Sequence, residues 1–460
     1  MHNRIKTIRM IAAVAALGAV VLTGTAQQPA AQTEKKYKDQ GEYDIYNEVT
    51  KDVVANNFTK AITDLDAWKQ KYPESDYKDD RTLLYISAYN GAKQFAKAVD
   101  TASELMNRNL DTVFSDPKTG PGNVVKVLFN ATVAVQQVPN PTAEQLAVGE
   151  KAARQLLDYN KKPEGVSDAD WATARTQLQA AAKQALLFIA VAPGNAALAK
   201  NPADCPTAET AFAKAVQDYP DQSFLSYNLG RAYNCDARAN PPKAPEVAPK
   251  AIYEFVRAAV LDPSLGKTTD AKKITDYANS AYTTYHGGED GLAELKEKVK
   301  GSPLPPDGFT IETAAAVASR KENEFKEKFP QLALWLGIKA QLADAANGSQ
   351  YFEGQLKNAA VPPLKGTLVE GKPACRSKEL LVAVPLPDQQ GAPQAEITLK
   401  LDAPLTGKAE PGEIQWEGVP AAFTQSPFML TMETEKAKIQ GLKTSPCAAA
   451  PVKKAAPKKK

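Results

Sequence analysis

The sequence predicts an α-solenoid of helical hairpins over residues 41–300, followed by a small all-β domain, a barrel or a sandwich, over residues 349–445. Three observations predict it. Small and apolar residues recur at offsets of three and four through the first region, and prolines end the runs. From Tyr351 to Leu442 the apolar residues alternate instead at period two, with turn residues about every 8–12 positions. The 460-residue chain, 43% apolar and 24% charged, is long enough for two or three buried cores.

The chain begins with Arg4, Lys6 and Arg9, then an apolar run from Ile11 to Leu22, then the small residues Gly24-Thr25-Ala26. That order is the pattern of a secretory signal over residues 1–26. The run is shorter than the roughly 20 apolar residues a membrane-spanning helix needs, and no cysteine offers a lipid anchor at the cleavage site. Residues 27–40 read as a linker, and no later segment is read as a membrane helix. The expected location is periplasmic or secreted.

The net charge of +3 is unevenly spread. The leader carries three cations and no acid, and residues 446–460 carry Lys453, Lys454, Lys458, Lys459 and Lys460 with no acid. The body between them is therefore mildly acidic. The tail is mainly alanine, proline and lysine, a composition with too little to bury to fold.

The hairpins are read from spacing. In Ala208-x3-Phe212-x2-Ala215-x4-Pro220 the small and apolar residues share one helical face and the proline stops the helix. Ser226-x2-Leu229-Gly230-x2-Tyr233 forms the next stripe, and Ala251-x3-Phe255-x2-Ala258-x4-Pro263 repeats the first. Upstream, Phe58-x2-Ala61-x3-Leu65-x2-Trp68-x4-Pro73 has the same form, followed by Tyr85-Ile86-x2-Tyr89 and Phe95-x2-Ala98-x3-Ala102-x2-Leu105. Gly149-x2-Ala152-x3-Leu156 and Ile274-x2-Tyr277-Ala278-x2-Ala281 are weaker copies. One hairpin cannot bury its apolar face alone, so copies in series stack into a continuous core.

These offsets resemble the tetratricopeptide repeat, a hairpin of about 34 residues with a Trp-x2-Leu-Gly-x2-Tyr helix and an Ala-x3-Phe…Pro helix. Lys71-Tyr72-Pro73-Glu74-Ser75 resembles the repeats of envelope-assembly proteins in Gram-negative bacteria. Ser226 departs by standing where the pattern has tryptophan, and Cys235 to Pro249 lengthens the turn between two helices. The resemblance implies a non-catalytic scaffold or adaptor that takes a protein or peptide in a groove. Its groove positions would be Phe224, Tyr227, Arg231 and Asn234, with Asn90 corresponding one good repeat earlier. Versions that clamp a C-terminal carboxylate use other residues where Tyr227 and Arg231 stand.

Four cysteines allow three pairings. The register of the resemblance sets Cys205 and Cys235 at the same end of adjacent antiparallel helices and implies that pair. The second local pair expected is Cys375–Cys447, which brackets the last domain. Without a Cys-x-x-Cys motif, and with His286 the one histidine after the leader, no metal site is expected. His286 itself reads as a cap at a helix end.

Gly301-Ser302-Pro303-Leu304-Pro305-Pro306 opens a segment of linker and bridging helices, 301–348. It holds a charged helix from Ile311 to Lys328 and an apolar helix opened by Pro330 through Trp335, Leu336 and Ile338. The β-domain shows strands at Glu379–Val384, Ala395–Leu401 and Phe428–Met432, and Pro411–Gly418 resembles a strand pair of an OB-type barrel. Gly120-Pro121-Gly122 and Gly287-Gly288 lack the lysine and strand of a phosphate loop. No Gly-x-Ser-x-Gly elbow or His-Glu-x-x-His helix occurs. An enzyme and a cofactor are therefore not expected. The competing expectation is a binder of an envelope polyanion (cell wall, lipopolysaccharide or nucleic acid) through the β-domain and the lysine tail.

Overall fold

The structure, a computed structural model, describes residues 35–387 and 389–447. The expected signal over residues 1–26, residues 27–34 of the expected linker, and residues 448–460 lie outside the described residues. The chain divides into two compact units, Met1–Glu312 and Thr313–Lys460.

The first unit is helical: α1 (Gln40–Val54), α2 (Phe58–Lys71), α3 (Lys78–Gly91), α4 (Phe95–Met106), the short α5 (Leu110–Val113), α6 (Gly120–Val135), α7 (Ala143–Asp158), α8 (Asp168–Leu198), α9 (Cys205–Asp218), α10 (Ser223–Ala239), α11 (Ala244–Leu261), α12 (Ala271–His286) and α13 (Leu292–Gly301). Local chemistry sets the ends. Asp39, Ser167, Asp204 and Asp270 accept backbone N–H bonds as N-caps, and Thr142 with Gln145 closes a capping box. At the other ends, Tyr72, Tyr219 and Asp262 each precede a proline and leave helical geometry there. The proline ring clashes with a helical residue before it.

Helices pack mainly on their chain neighbours, and α1 on α3, α3 on α6, α4 on α6 and α7, α6 on α8 and α11 on α13 besides. The cores follow in series. Val49, Leu65 and Trp68 fill the first, Phe212, Leu225 and Leu229 a later one, and Tyr253, Phe255 and Tyr282 the last. A Cβ on Gly230 would stand 2.8 Å from the Phe255 ring, so α10 and α11 approach at a distance only glycine allows.

Two expectations are corrected in this unit. The segment Cys235–Pro249 is not an extended turn: α10 runs on to Ala239, Pro241–Lys243 makes one 3-10 turn, and α11 starts at Ala244. Proline is tolerated in a helix's opening turn, where its missing N–H has no partner to lose, so the insertion lengthens both helices. Second, α8 is 31 residues and, by length and composition, apolar enough to cross a membrane. Its Trp171, Leu178, Ala182 and Leu186 instead lie in the core shared with α6 and α7.

The second unit comprises α14 (Ala314–Lys328), α15 (Pro330–Ala343), α16 (Gly348–Tyr351) with a π-turn to Leu356, and β1 (Val361–Lys372), β2 (Glu379–Ala383), β3 (Ile397–Leu401), β4 (Lys408–Ala409), β5 (Gly412–Gln425), β6 (Phe428–Thr434), β7 (Ile439–Gln440) and β8 (Thr444–Ser445). The strand order β1-β2-β3-β6-β5 returns to β1 through the β1–β5 pairing, so the sheet closes as a barrel-like ring. β3 pairs with β6 in parallel and the other pairs of the ring are antiparallel. That one pair interrupts an otherwise antiparallel ring.

Pro411–Gly418 is also not a strand pair. It opens the single strand β5, which pairs with β1 up to Gly418 and with β6 from Val419 onward. Gly418 permits the change of neighbour, since a Cβ there would meet the Glu433 carbonyl oxygen at 3.0 Å. The apolar helix α15, read from the sequence as bridging, supplies Trp335, Ile338 and Leu342 to the same core as Leu364, Leu380, Leu399, Trp416 and Met432.

Candidate partner-docking face

Helix α10 divides its residues between two surfaces. Leu225, Leu229 and Ala232 are buried in the core with α9. Phe224, Tyr227, Arg231 and Asn234 fall at steps of three and four on another stripe, and Arg238 continues it. The structure therefore brings four of the five sequence-predicted groove residues together. It does not add Asn90, which sits on α3 and donates from Nδ2 to the carbonyl oxygen and Oδ1 of Asn130 at 3.0 and 2.9 Å. That amide ties α3 to α6 and is spent on packing.

Along the stripe the character changes from apolar to cationic. Phe224 and Tyr227 are half-buried against Ala258, Leu265 and Ile274, and the Tyr227 ring lies 5.6 Å from that of Phe255. Arg231 is exposed and donates to Asn228 Oδ1 at 3.2 Å. Arg238 is exposed in the last turn. Neither arginine has a carboxylate partner among the described residues. From α12, Tyr277 adds a ring that is 42% exposed and sits edge-on to Phe255 at 4.9 Å. Burial, and then the neighbouring Tyr227, push the Tyr277 phenol up, while Arg238 pulls it down. Sequence reading missed Tyr277 and Arg238. The first lay in a weak repeat copy, and the second is one helical step beyond the matched pattern.

Beneath this face lies a buried polar set. Arg257 of α11 donates to Ser226 Oγ, the Pro220 carbonyl and the Ser302 carbonyl at 2.7, 2.8 and 3.1 Å. Glu254, one turn earlier, is fully buried, and neither of its carboxyl oxygens makes a hydrogen bond. Burial pushes its carboxyl up to about 8, against smaller pulls from Ser226 and Arg257. Glu209 is held up at about 7 by burial and by Asp236.

Both disulfides form as expected. Cys205–Cys235 joins the start of α9 to α10 with Cα atoms 5.7 Å apart, and Cys375–Cys447 spans 5.8 Å. Two disulfides fit an oxidising, extracytoplasmic environment. His286 ends α12 just before Gly287, which takes the left-handed conformation at φ 86°. Its Nδ1 lies 2.9 Å from the Glu312 carbonyl oxygen.

Fold and pairing define a mostly helical protein with a C-terminal β-barrel-like domain, an arrangement compatible with a helical-repeat protein. No protein-family model matches the chain, and a search of curated proteins finds no match.

Proposed function

We propose that this chain is an exported, non-catalytic adaptor of a Gram-negative cell envelope whose helical unit is a tetratricopeptide-type solenoid that docks a protein segment. The serial packing of helices on chain neighbours, with small residues at the close approaches, supports the solenoid reading. The apolar run at residues 11–22 and the two disulfides support export.

The observation that carries the reading is the stripe on α10. Its aromatic half offers contact area at low entropic cost, and its arginines have no carboxylate partner among the described residues. The partner segment suited to it presents an apolar side chain followed by an acid.

The test is an affinity pull-down from envelope extract at low and high salt. The wild-type chain is compared with a Tyr227→Ala/Arg231→Ala double variant and with a form ending before the lysine tail. A discrete protein retained at high salt by the wild-type and tailless forms, and lost from the double variant, supports the adaptor. Equal retention by the double variant overturns it.

The ring closure β1-β2-β3-β6-β5-β1 with its one parallel pair supports an OB-type reading of the second unit.

A further inference from the structure

We propose that helix α6 carries a docking line for an extended acidic polypeptide, which sets an acidic side chain on Lys126 and its neighbouring carbonyls on the amides of Asn123 and Asn130. The proposal rests on the reading of the helical unit as a protein-docking scaffold, and it uses a different helix from the α10 stripe.

Helical spacing puts Gly122, Lys126 and Asn130 on one stripe, with Asn123 one turn before Lys126 beside it. The ends of the stripe locate it in the fold. A Cβ on Gly122 would stand 3.9 Å from Pro163, in the segment that leads into α8. Asn130 receives the Asn90 amide from α3. α6 packs on both α3 and α8, so Lys126, at the middle of the stripe, lies between these two neighbours. It is half-buried.

Lys126 is a charge without a counter-charge. Its ammonium has no hydrogen-bond or ion-pair partner among the described residues, and α6 contains no acid. The acids of the flanking helices are engaged elsewhere. Asp79 pairs with Arg108 and Asp80 with Lys35, each at 2.6 Å, Asp168 pairs with Lys162, and Asp170 accepts from the Ser167 hydroxyl. Burial alone pushes the Lys126 ammonium below the ordinary lysine range. A partly desolvated cation without a partner is destabilising, and a bound carboxylate relieves it.

Two amides flank the charge. The Asn123 side chain makes no hydrogen bond to a described residue. Asn130 Oδ1 is held by the Asn90 amide at 2.9 Å, which leaves Asn130 Nδ2 with one long approach of 3.5 Å to Ser87 Oγ, a weak bond at that distance. Three donor groups therefore stand along about 10 Å of helix, with one positive charge among them. One cation matches one carboxylate, whereas phosphate recognition favours the bidentate fork of arginine. The row is longer than a single carboxylate. It suits an extended chain, whose residues advance about 3.3 Å each and place carbonyls on either side of the acid.

The test uses the full chain with isotope-labelled lysine and two capped probes, decaglutamate and decaglutamine, in about 150 mM sodium chloride to screen loose contacts. The Lys126 Cε resonance, assigned by its loss in Lys126→Gln, is expected to move with decaglutamate and not with decaglutamine, and to titrate at higher pH in the complex. Asn123→Ala is expected to weaken the affinity read at that resonance about fivefold, and Tyr227→Ala/Arg231→Ala to leave it unchanged. The proposal is overturned if the Lys126 resonance stays fixed while other lysines move, if inorganic phosphate moves it as fully as decaglutamate, or if folded Asn123→Ala binds like wild type. Any of those results removes this line and leaves the α10 stripe to its own pull-down.

Discussion

Arg257 donates from Nη1 to the Ser226 hydroxyl at 2.7 Å, at the position where the repeat pattern resembled by this sequence has tryptophan. A guanidinium from the neighbouring helix thus meets the small side chain that stands in for a large ring. Its remaining donors reach the Pro220 and Ser302 carbonyls, and Tyr253 donates to the same Ser302 oxygen at 3.0 Å. One buried arginine therefore ties α10, α11 and the segment after α13.

Arg257→Met is expected to lower stability by about 3 kcal/mol, because the Ser226 hydroxyl and the Pro220 carbonyl lose this donor and the Ser302 carbonyl keeps Tyr253 alone of its two. Arg257→Lys should recover only part, since an ammonium cannot reproduce the planar fork. Urea unfolding followed by the helical circular dichroism signal reads both. A loss under about 0.5 kcal/mol for Met would mean the network contributes only packing.

Glu254 gives the helical unit a pH dependence with a definite sign. Its folded-state carboxyl titrates near 8 because it is buried, above the ordinary glutamate range near 4.3. The folded state thus holds a proton that the unfolded chain has released. That stability is fully present below the unfolded value and is lost as pH rises toward 8. Arg257 of the same helix and Ser226 of α10 oppose the shift without cancelling it. Wild type should lose more urea resistance between pH 5 and pH 8 than Glu254→Gln; parallel curves would refute the assignment.

Gly230→Ala sets helix propensity against packing. Alanine gains about 1 kcal/mol in an exposed helix interior. Here its methyl would stand 2.8 Å from the Phe255 ring and 3.2 Å from the Ala251 carbonyl oxygen, and overpacking of that kind costs about 1–3 kcal/mol. Net destabilisation is expected, read as a lower thermal midpoint. A rise would show that α10 and α11 can separate freely.

The barrel-like unit should need α15. Trp335 is fully buried in its core and donates its indole N–H to Glu396 at 3.2 Å. A fragment beginning at Thr313 is expected to unfold cooperatively in urea, whereas one beginning at Gly348 should not. Trp335→Ala in the longer fragment should cost about 3–5 kcal/mol. Cooperative folding of the shorter fragment would place α15 outside the core.

Several of these features are legible in the sequence. Tyr72-Pro73, Tyr219-Pro220 and Asp262-Pro263 mark helix ends because the proline clash acts on the adjoining residue. The partnership of Cys205 with Cys235 was implied by the register of the repeat that the sequence resembles. The stripe Phe224, Tyr227, Arg231 and Asn234 follows from helical period once α10 is assigned. Asn90 occupies a corresponding position, yet its amide is consumed by Asn130, a residue 40 positions away that no local pattern singles out.

The sequence by itself determined where helices stop, which residues share a face, and where period three-to-four gives way to period two. Those choices rest on clashes, caps and amphipathic spacing within a few residues. Only the tertiary structure decided that the proline-rich insertion extends α10 and α11, that β5 pairs with β1, β6 and β7, that β3 and β6 run parallel, and that Glu254 is sealed from water. Each of those depends on which distant surface is available to pair with or be buried against, and local spacing does not specify the partner.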